Sequence, residues 1–382
     1  MKNGWEVITL GEVVKLEYGK PLAKEDRTPD GDYGVYGANG IKNYSNKAYS
    51  KGPSIIVGRK GSAGELTFVT GDFWPLDVTY FTQHNSDLIE LKFLMLLLEM
   101  ANLPSMAKGV KPGINRNDVY ALQIPLPPLE EQKRIVSILD EAFEGLDRVR
   151  ENAEANLRSA RELYQAIMTK VFSLEDKSSG ELNDNIRFKA IGDVCRVVGG
   201  GTPSKANNDF WGGDIPWVSP KDMKSDLIND TIDHITTEAI DKSATKLVPM
   251  GAILLVVRSG ILARKIPIAL AGRDLSINQD LKAILPNVDL DSFFMAYFLK
   301  ANESELLDRV TLGATVHKLD TPKIKDLRVP ILSQNEQKDI VKTLDAATIG
   351  FKTLVANYKA KIQDISDLRQ SLLQKAFAGE LT

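Results

Sequence analysis

The side chains best placed to do chemistry sit in two turns of the same make. The run GPSIIVGRKG ends in Arg59-Lys60-Gly61, and GAILLVVRSG ends in Arg258-Ser259-Gly260. In each, an apolar strand-like stretch passes straight into Arg-x-Gly. An arginine there can reach a phosphate or the acceptor edge of a guanine, and the glycine lets another backbone come close. The alternative is a surface arginine paired with an acidic neighbour, which for either turn alone is the simpler reading; repetition of the feature in both copies puts the two readings about level. Arg264 and Lys265 extend the second patch, and Lys108, Lys111, Asn115 and Arg116 the first. A further loop, Gly313-Ala314-Thr315-Val316-His317-Lys318, offers Thr315, His317 and Lys318. His317 by itself reads as a surface histidine and Trp217 as a core residue.

Catalytic constellations are missing. No G-x-x-x-x-G-K-[ST] loop is present, and Gly199–Ser204 lacks both the lysine and the spacing. No G-x-G-x-x-G opens a helix after a strand. Leu126-Pro127-Pro128-Leu129 is apolar at both ends, unlike the N-P-P-Y or D-P-P-Y tetrapeptide of amino-methyltransferases. A nuclease-like carboxylate set built from Asp30, Glu90 and Lys92 is far apart in sequence and reads better as solvated charge. One cysteine, Cys195, and three scattered histidines make a zinc site unexpected. Cys195 lies in an apolar stretch and is expected to be a small core residue.

The elements that must carry these turns come from a duplication. Pro125 to Phe172 matches Pro330 to Phe377 without a gap at an offset of 205. Upstream the offset drifts to 199 where Arg59 is matched with Arg258, and to 181 where Gly11 is matched with Gly192. Each half is thus a globular part with variable loops followed by an element of fixed length. That element reads as a long helix. In the first copy the apolar seam is Ile135, Leu139, Ala142, Leu146, Val149, Ala153, Leu157, Ala160, Leu163, Ile167 and Val171. In the second it is Ile340, Leu344, Ala347, Phe351, Leu354, Tyr358, Ile362, Ile365, Leu368, Leu372 and Ala376. Ser333-x-x-Glu336 is a capping box, and Gly379 a stop signal. Some 42 residues make a rod of about 63 Å, whose natural partner is the other rod. The expected fold is α+β: two pseudo-symmetric mixed α/β domains joined by two long antiparallel helices. The expected divisions are 1–128 (first domain), 129–174 (first helix), 175–185 (linker), 186–332 (second domain) and 333–379 (second helix).

The chain has 382 residues, with 43% hydrophobic and 26% charged, which excludes a mainly disordered chain. Forty-eight Lys and Arg against 51 Asp and Glu leave a net charge of −3, which argues against coating nucleic acid by bulk charge. No apolar run reaches membrane-span length; Leu91–Leu98 is interrupted by Lys92. The N-terminus has no apolar signal core, and a lone cysteine fits the cytoplasm.

Three stretches of the second half are Gly199-Gly200-Gly201-Thr202-Pro203-Ser204, Phe210 to Val218 (FWGGDIPWV), and Asn335-Glu336-Gln337-Lys338 with Ile340-Val341 and Leu344-Asp345. The first half has Tyr36 to Ile41 (YGANGI) and Pro127 to Gln132 (PPLEEQ). In their order and duplication these resemble the specificity subunit of type I restriction–modification systems, over essentially the whole chain. In the first domain Gly19-Lys20-Pro21 replaces the Gly-Thr-Pro turn. The resemblance implies two target recognition domains, each reading half of a split sequence in double-stranded DNA, and a helix pair that spaces them. It implies two docked methyltransferase subunits, which bind S-adenosylmethionine and methylate adenine, and a restriction or translocase subunit using ATP and Mg. It implies no cofactor, metal or catalytic residue on this chain. DNA contacts are then expected from Lys20, Asn39, Lys42, Arg59, Lys60, Lys108, Lys111, Asn115 and Arg116 in the first domain. In the second they are expected from Lys205, Ser219, Lys221, Arg258, Ser259, Arg264, Lys265, Thr315, His317 and Lys318. Partner subunits are expected at Gln132, Lys133, Gln337 and Lys338. Two other readings stay open: a protein-binding scaffold with a helix-pair spacer, and a recognition subunit of another restriction or modification system.

Overall fold

The structure is a computed structural model that describes residues 4–173, 186–287 and 289–381. The expected linker at 175–185 lies outside the described residues. The chain divides into two compact units, Met1–Ala155 with Tyr358–Thr382, and Asn156–Asn357. Each unit therefore owns a globular head and half of both long helices.

The first unit holds strands β1 (Glu6–Thr9), β2 (Val14–Tyr18), β3 (Tyr33–Gly37), β4 (Gly40–Ser45), β5 (Ser54–Gly58), β6 (Leu66–Val69), β7 (Phe73–Pro75), β8 (Thr79–His84) and β9 (Gln123–Leu126). Its helices are α1 (Leu91–Met100) and α2 (Arg116–Tyr120), and α3 (Leu129–Ser173) begins here. The main sheet runs β2-β8-β5-β6, beside a β4-β3-β7 sheet and a β1-β9 pair. The second unit holds β10 (Arg187–Ala190), β11 (Cys195–Gly199), β12 (Trp211–Val218), β13 (Leu227–Ile228), β14 (His234–Ile235), β15 (Leu247–Val248), β16 (Ile253–Val256), β17 (Arg258–Ser259), β18 (Ile268–Ala271), β19 (Leu275–Ile277), β20 (Leu281–Pro286), β21 (His317–Lys318) and β22 (Arg328–Ile331). With them are α4 (Ile191–Val194), α5 (Thr237–Lys242), α6 (Ser292–Ala301), α7 (Glu303–Asp308), α8 (Thr321–Lys325) and the start of α9 (Gln334–Ala378). Its main sheets run β11-β20-β16-β18-β13 and β14-β12-β19-β15.

The apolar run at Leu91–Leu98 is the buried helix α1. Its N-cap is Glu90, whose carboxylate accepts from the Phe93 N–H at 2.7 Å. Among the described residues no helix is long and apolar enough to cross a membrane. Ser333 and Glu336 form the expected reciprocal cap of α9. Gly379, at φ +78°, stops it in the left-handed conformation that glycine adopts without a Cβ clash. Cys195 is buried, and burial pushes its thiol up to about 12.

Within the first unit, Ile135, Leu139 and Phe143 from the start of α3 join Leu373, Ala376 and Phe377 from the end of α9 in one core. Phe377 meets Phe93 of α1 edge-on at 5.2 Å, and the Arg369 guanidinium sits 3.8 Å over the Phe143 ring. Within the second unit, the end of α3 inserts Phe172 against Phe294 and Phe298 of α6, and Tyr164 stacks on Phe351 of α9 at 4.5 Å. In both units the two helices run antiparallel. The seam differs from expectation by one residue at three places. Leu163, Leu354 and Leu368 are exposed, the first by 60%, while Tyr164, Val355 and Arg369 are the partly buried neighbours; Val149 is exposed as well. Counting outward from the buried Ala153 in steps of four and three reaches Tyr164. Leu163 lies on the flank of that stripe, so its hydrophobicity alone misplaced it.

The two heads share one wiring. Leu10 N–H donates to Leu122 O as Ile191 N–H does to Leu327 O, and Asn85 N–H to Val13 O as Asn287 N–H to Val194 O. The same comparison corrects the offset of 199. Tyr80 pairs with Tyr18 and Val57, and Lys282 with Gly199 and Leu255. Val57 therefore corresponds to Leu255, an offset of 198. Arg59 and Lys60 both donate their N–H to Val78 O, and Val257 and Arg258 both to Asp280 O. The backbone counterpart of Arg258 is Lys60, and that of Arg59 is the buried Val257. Matching by residue letters slid one place because both runs are apolar, whereas the ladder admits a single register.

Candidate nucleic-acid interface

In the first unit β2 and β5 end, and β8 begins, at one end of the main sheet. Tyr18, Arg59, Lys60 and residues 76–78 therefore meet there. Tyr18 is exposed, with the Arg59 and Arg116 guanidinia 5.3 and 4.9 Å from its ring and Tyr80 edge-on at 5.1 Å. Burial, and then the Tyr18 hydroxyl, raise the Tyr80 pKa above the usual phenol range. Arg59 spends Nε and Nη2 on the Asp77 carbonyl, at 3.1 and 2.7 Å, which braces the loop and leaves Nη1 free. Lys60 projects from the sheet end and bridges Gly113, as Lys108 also does. The structure thus brings Arg59, Lys60, Lys108, Lys111, Asn115 and Arg116 together. Lys108 is held by Asp118 at 3.2 Å, and Asn115 uses its side-chain oxygen to cap α2. The β3–β4 turn bearing Asn39 adjoins this loop, since a Cβ on Gly58 would sit 2.8 Å from Ala38 O. Lys42 follows on β4, and Lys20 lies 4.9 Å over the Tyr49 ring.

The second unit repeats the arrangement. Gly200 passes so close to the next strand that a Cβ would meet Asn278 O at 2.1 Å, as one on Gly19 would meet Leu76 O at 2.1 Å. Gly201 N–H donates to Ile277 O, and Gly201 O accepts from the buried Trp217 indole at 3.0 Å. Beyond this pinned turn the Thr202 hydroxyl donates to Gln279 Oε1. Arg258 pairs with Lys318, and Ser259 with His317. Ser259 Oγ caps the turn leading to the exposed Arg264 and Lys265. Thr315 is exposed on the facing loop, and its carbonyl lies 3.3 Å from where a Gly260 Cβ would be. His317 Nδ1 accepts from Gly313 N–H at 3.2 Å, and Lys318 pairs with Asp320 at 2.6 Å.

Three expected contacts are corrected by their surroundings. Ser219 is buried and donates to Asp222 at 2.7 Å, so it is not set out as a free contact. Lys221 is exposed and pairs with Asp233 at 2.8 Å, as Lys108 pairs with Asp118 and Lys318 with Asp320. Gln132 and Gln337, expected to meet partner subunits, are each 0% exposed. The Gln132 amide donates to Leu88 O and Pro127 O and accepts from Glu90 N–H, all at 2.8 Å. The Gln337 amide does the same with Asp289 O, Leu332 O and Asp291 N–H, at 2.8–2.9 Å. Both are internal ties between head and helix. Lys133 is exposed and paired with Glu130, and Lys338 and Lys205 are exposed. Tyr18, Asp77, Thr202 and Gln279 escaped the sequence reading. The Gly-Thr-Pro turn was a signal for Thr202, but the other three are marked only by their place at a strand end.

Comparison with known proteins identifies the family of the chain. A family model described as the type I restriction modification DNA specificity domain matches residues 2–157 and 183–364. The chain belongs to this family of DNA specificity subunits. It is 32% identical over 386 residues to the type I restriction enzyme EcoR124I/EcoR124II specificity subunit of Escherichia coli, covering 96% of this chain and 91% of the relative. It is 30% identical over 202 residues to the MjaIX specificity subunit of Methanocaldococcus jannaschii, covering 52% and 45%. Its fold is that of a chain in a structure on assembly and conformational transition of the type I R-M system, at TM-score 0.80, 22% identity and coverage of 100% and 99%. The HsdS subunit from Thermoanaerobacter tengcongensis is similar at TM-score 0.57, 22% identity and coverage of 100% and 98%. As a specificity subunit the chain recognises DNA and is not the catalyst. Its single cysteine is a core residue, and Glu90 of the forced carboxylate set is a helix cap. Among the described residues no three His, Cys, Asp or Glu gather to hold a metal.

Proposed function

We propose that each unit of this specificity subunit presents the loop end of its main sheet to double-stranded DNA, one half of a bipartite target to each unit. Two methyltransferase subunits dock on the chain, bind S-adenosylmethionine and methylate adenine. A restriction or translocase subunit with its ATP and Mg joins the same cytoplasmic assembly. This chain itself holds no cofactor and supplies recognition only. The observation that carries the reading is the repeated backbone wiring of the two sheet ends, dressed with different side chains. A shared scaffold with divergent loops can address two different half-sites, as paired recognition modules do. Lys60 and Arg258, counterparts in that wiring, are suited to phosphate or guanine. Replacing residues 186–332 with the counterpart from another specificity subunit, in the complex with its methyltransferase subunits, tests this. Sequencing of methylated adenines should show a change in one half of the target and none in the other. A change in both halves, or in neither, would reject independent reading.

A further inference from the structure

Taken together, the hydrogen-bond maps of the two heads single out one position that no basic motif marks. Lys20 N–H donates to Pro75 O as Gly201 N–H donates to Ile277 O, and the N–H pairs after β5 and β16 converge on Val78 O and Asp280 O. Asp77 and Gln279 are therefore counterparts, each held between two backbone anchors at the sheet end. Both are exposed. The backbone of Asp77 is braced by the Arg59 guanidinium, and Asp77 lies beside the exposed Lys60. Yet among the described residues the Asp77 carboxylate has no hydrogen-bond or ion-pair partner. An unpaired carboxylate among cations on a face meant for phosphates repels the backbone, and is useful there only if it meets a donor. Gln279 differs. The Thr202 hydroxyl occupies one lone pair of its Oε1 and so fixes the amide orientation, leaving the second lone pair and both Nε2 hydrogens available.

We propose that the position shared by Asp77 and Gln279 reads a base in each half-site, Asp77 accepting from the N4 amino group of a cytosine and Gln279 pairing bidentately with N6 and N7 of an adenine. A carboxylate matches a donor edge, and an oriented carboxamide matches adjacent donor and acceptor. This rests on the DNA-recognition reading above. Thr202 is a positioning residue, since it acts through Gln279.

The test is selection of bound duplexes from a randomised double-stranded oligonucleotide pool by the purified full chain, followed by sequencing. The wild type should select a bipartite sequence with a cytosine preference in one half and an adenine preference in the other. Asp77→Gln should turn the cytosine position toward adenine, and Gln279→Glu the adenine position toward cytosine, each by about 5- to 150-fold and in its own half only. Gln279→Ala removes the contact without adding charge and should flatten that one position. Thr202→Val should weaken the same preference and leave the other half alone. A wild type that selects no common sequence would sink the DNA-recognition reading and this proposal with it. A wild type that selects, with Asp77→Gln and Gln279→Ala keeping every preference, would overturn this proposal alone.

Discussion

Gln132 and Gln337 show how much a single amide can hold. Each satisfies two carbonyls and one N–H from segments more than forty residues upstream or from its own helix start. Truncation to alanine leaves three backbone groups without this partner, each costing about 1–3 kcal/mol if water cannot reach it. We expect Gln132→Ala and Gln337→Ala each to lose about 2–4 kcal/mol in all, since large single-site losses rarely exceed that. Thermal unfolding checks it, with Lys133→Ala and Lys338→Ala as exposed neighbours that should change little. Equal melting temperatures for all four would show that water replaces the amide. The repeated Gln-Lys pair was visible in the sequence. Its role was not, because the atoms it binds are brought to it only by folding.

For the long helices, their ends matter more than their middles. The last turns of α9 belong to the core of the first unit, although the first head precedes them by more than two hundred residues. Phe377→Ala should therefore destabilise the first unit by about 3–5 kcal/mol, the usual cost of deleting a buried phenylalanine side chain. Limited trypsin digestion distinguishes the units. With Phe377→Ala, or with residues 372–382 removed, cleavage should begin within residues 4–128 while 186–332 stays protected. Earlier cleavage within 186–332 would contradict the packing described. Phe172 plays the matching part in the second unit, against Phe294 and Phe298.

Over the whole molecule the net charge is −3, so attraction to DNA must come from local cations at the sheet ends. Lys60 and Arg258 are exposed counterparts there. If each neutralises one phosphate, Lys60→Ala and Arg258→Ala should each lower the slope of log affinity against log salt by about 0.9. Lys221→Ala, whose ammonium is tied to Asp233, should leave the slope unchanged. Fluorescence anisotropy with a labelled target duplex between low and moderate salt gives the slopes. Unchanged slopes for both Lys60→Ala and Arg258→Ala would remove the pair from phosphate contact.

The duplication, the two long helices, the Ser333–Glu336 cap and the Gly379 stop were legible in the sequence. Each is written in neighbouring residues or in a repeat along the chain, and needs no knowledge of what lies across a sheet. Tertiary structure alone decided that Lys60, not Arg59, stands where Arg258 stands. It also decided that Tyr164 rather than Leu163 joins the helix seam, that Gln132 and Gln337 face inward, and that Asp77 and Gln279 are one position. Strand register, side-chain burial and the meeting of loops depend on hydrogen bonds between residues tens to hundreds apart, where a slip of one residue leaves composition and periodicity unchanged but exchanges inside for outside.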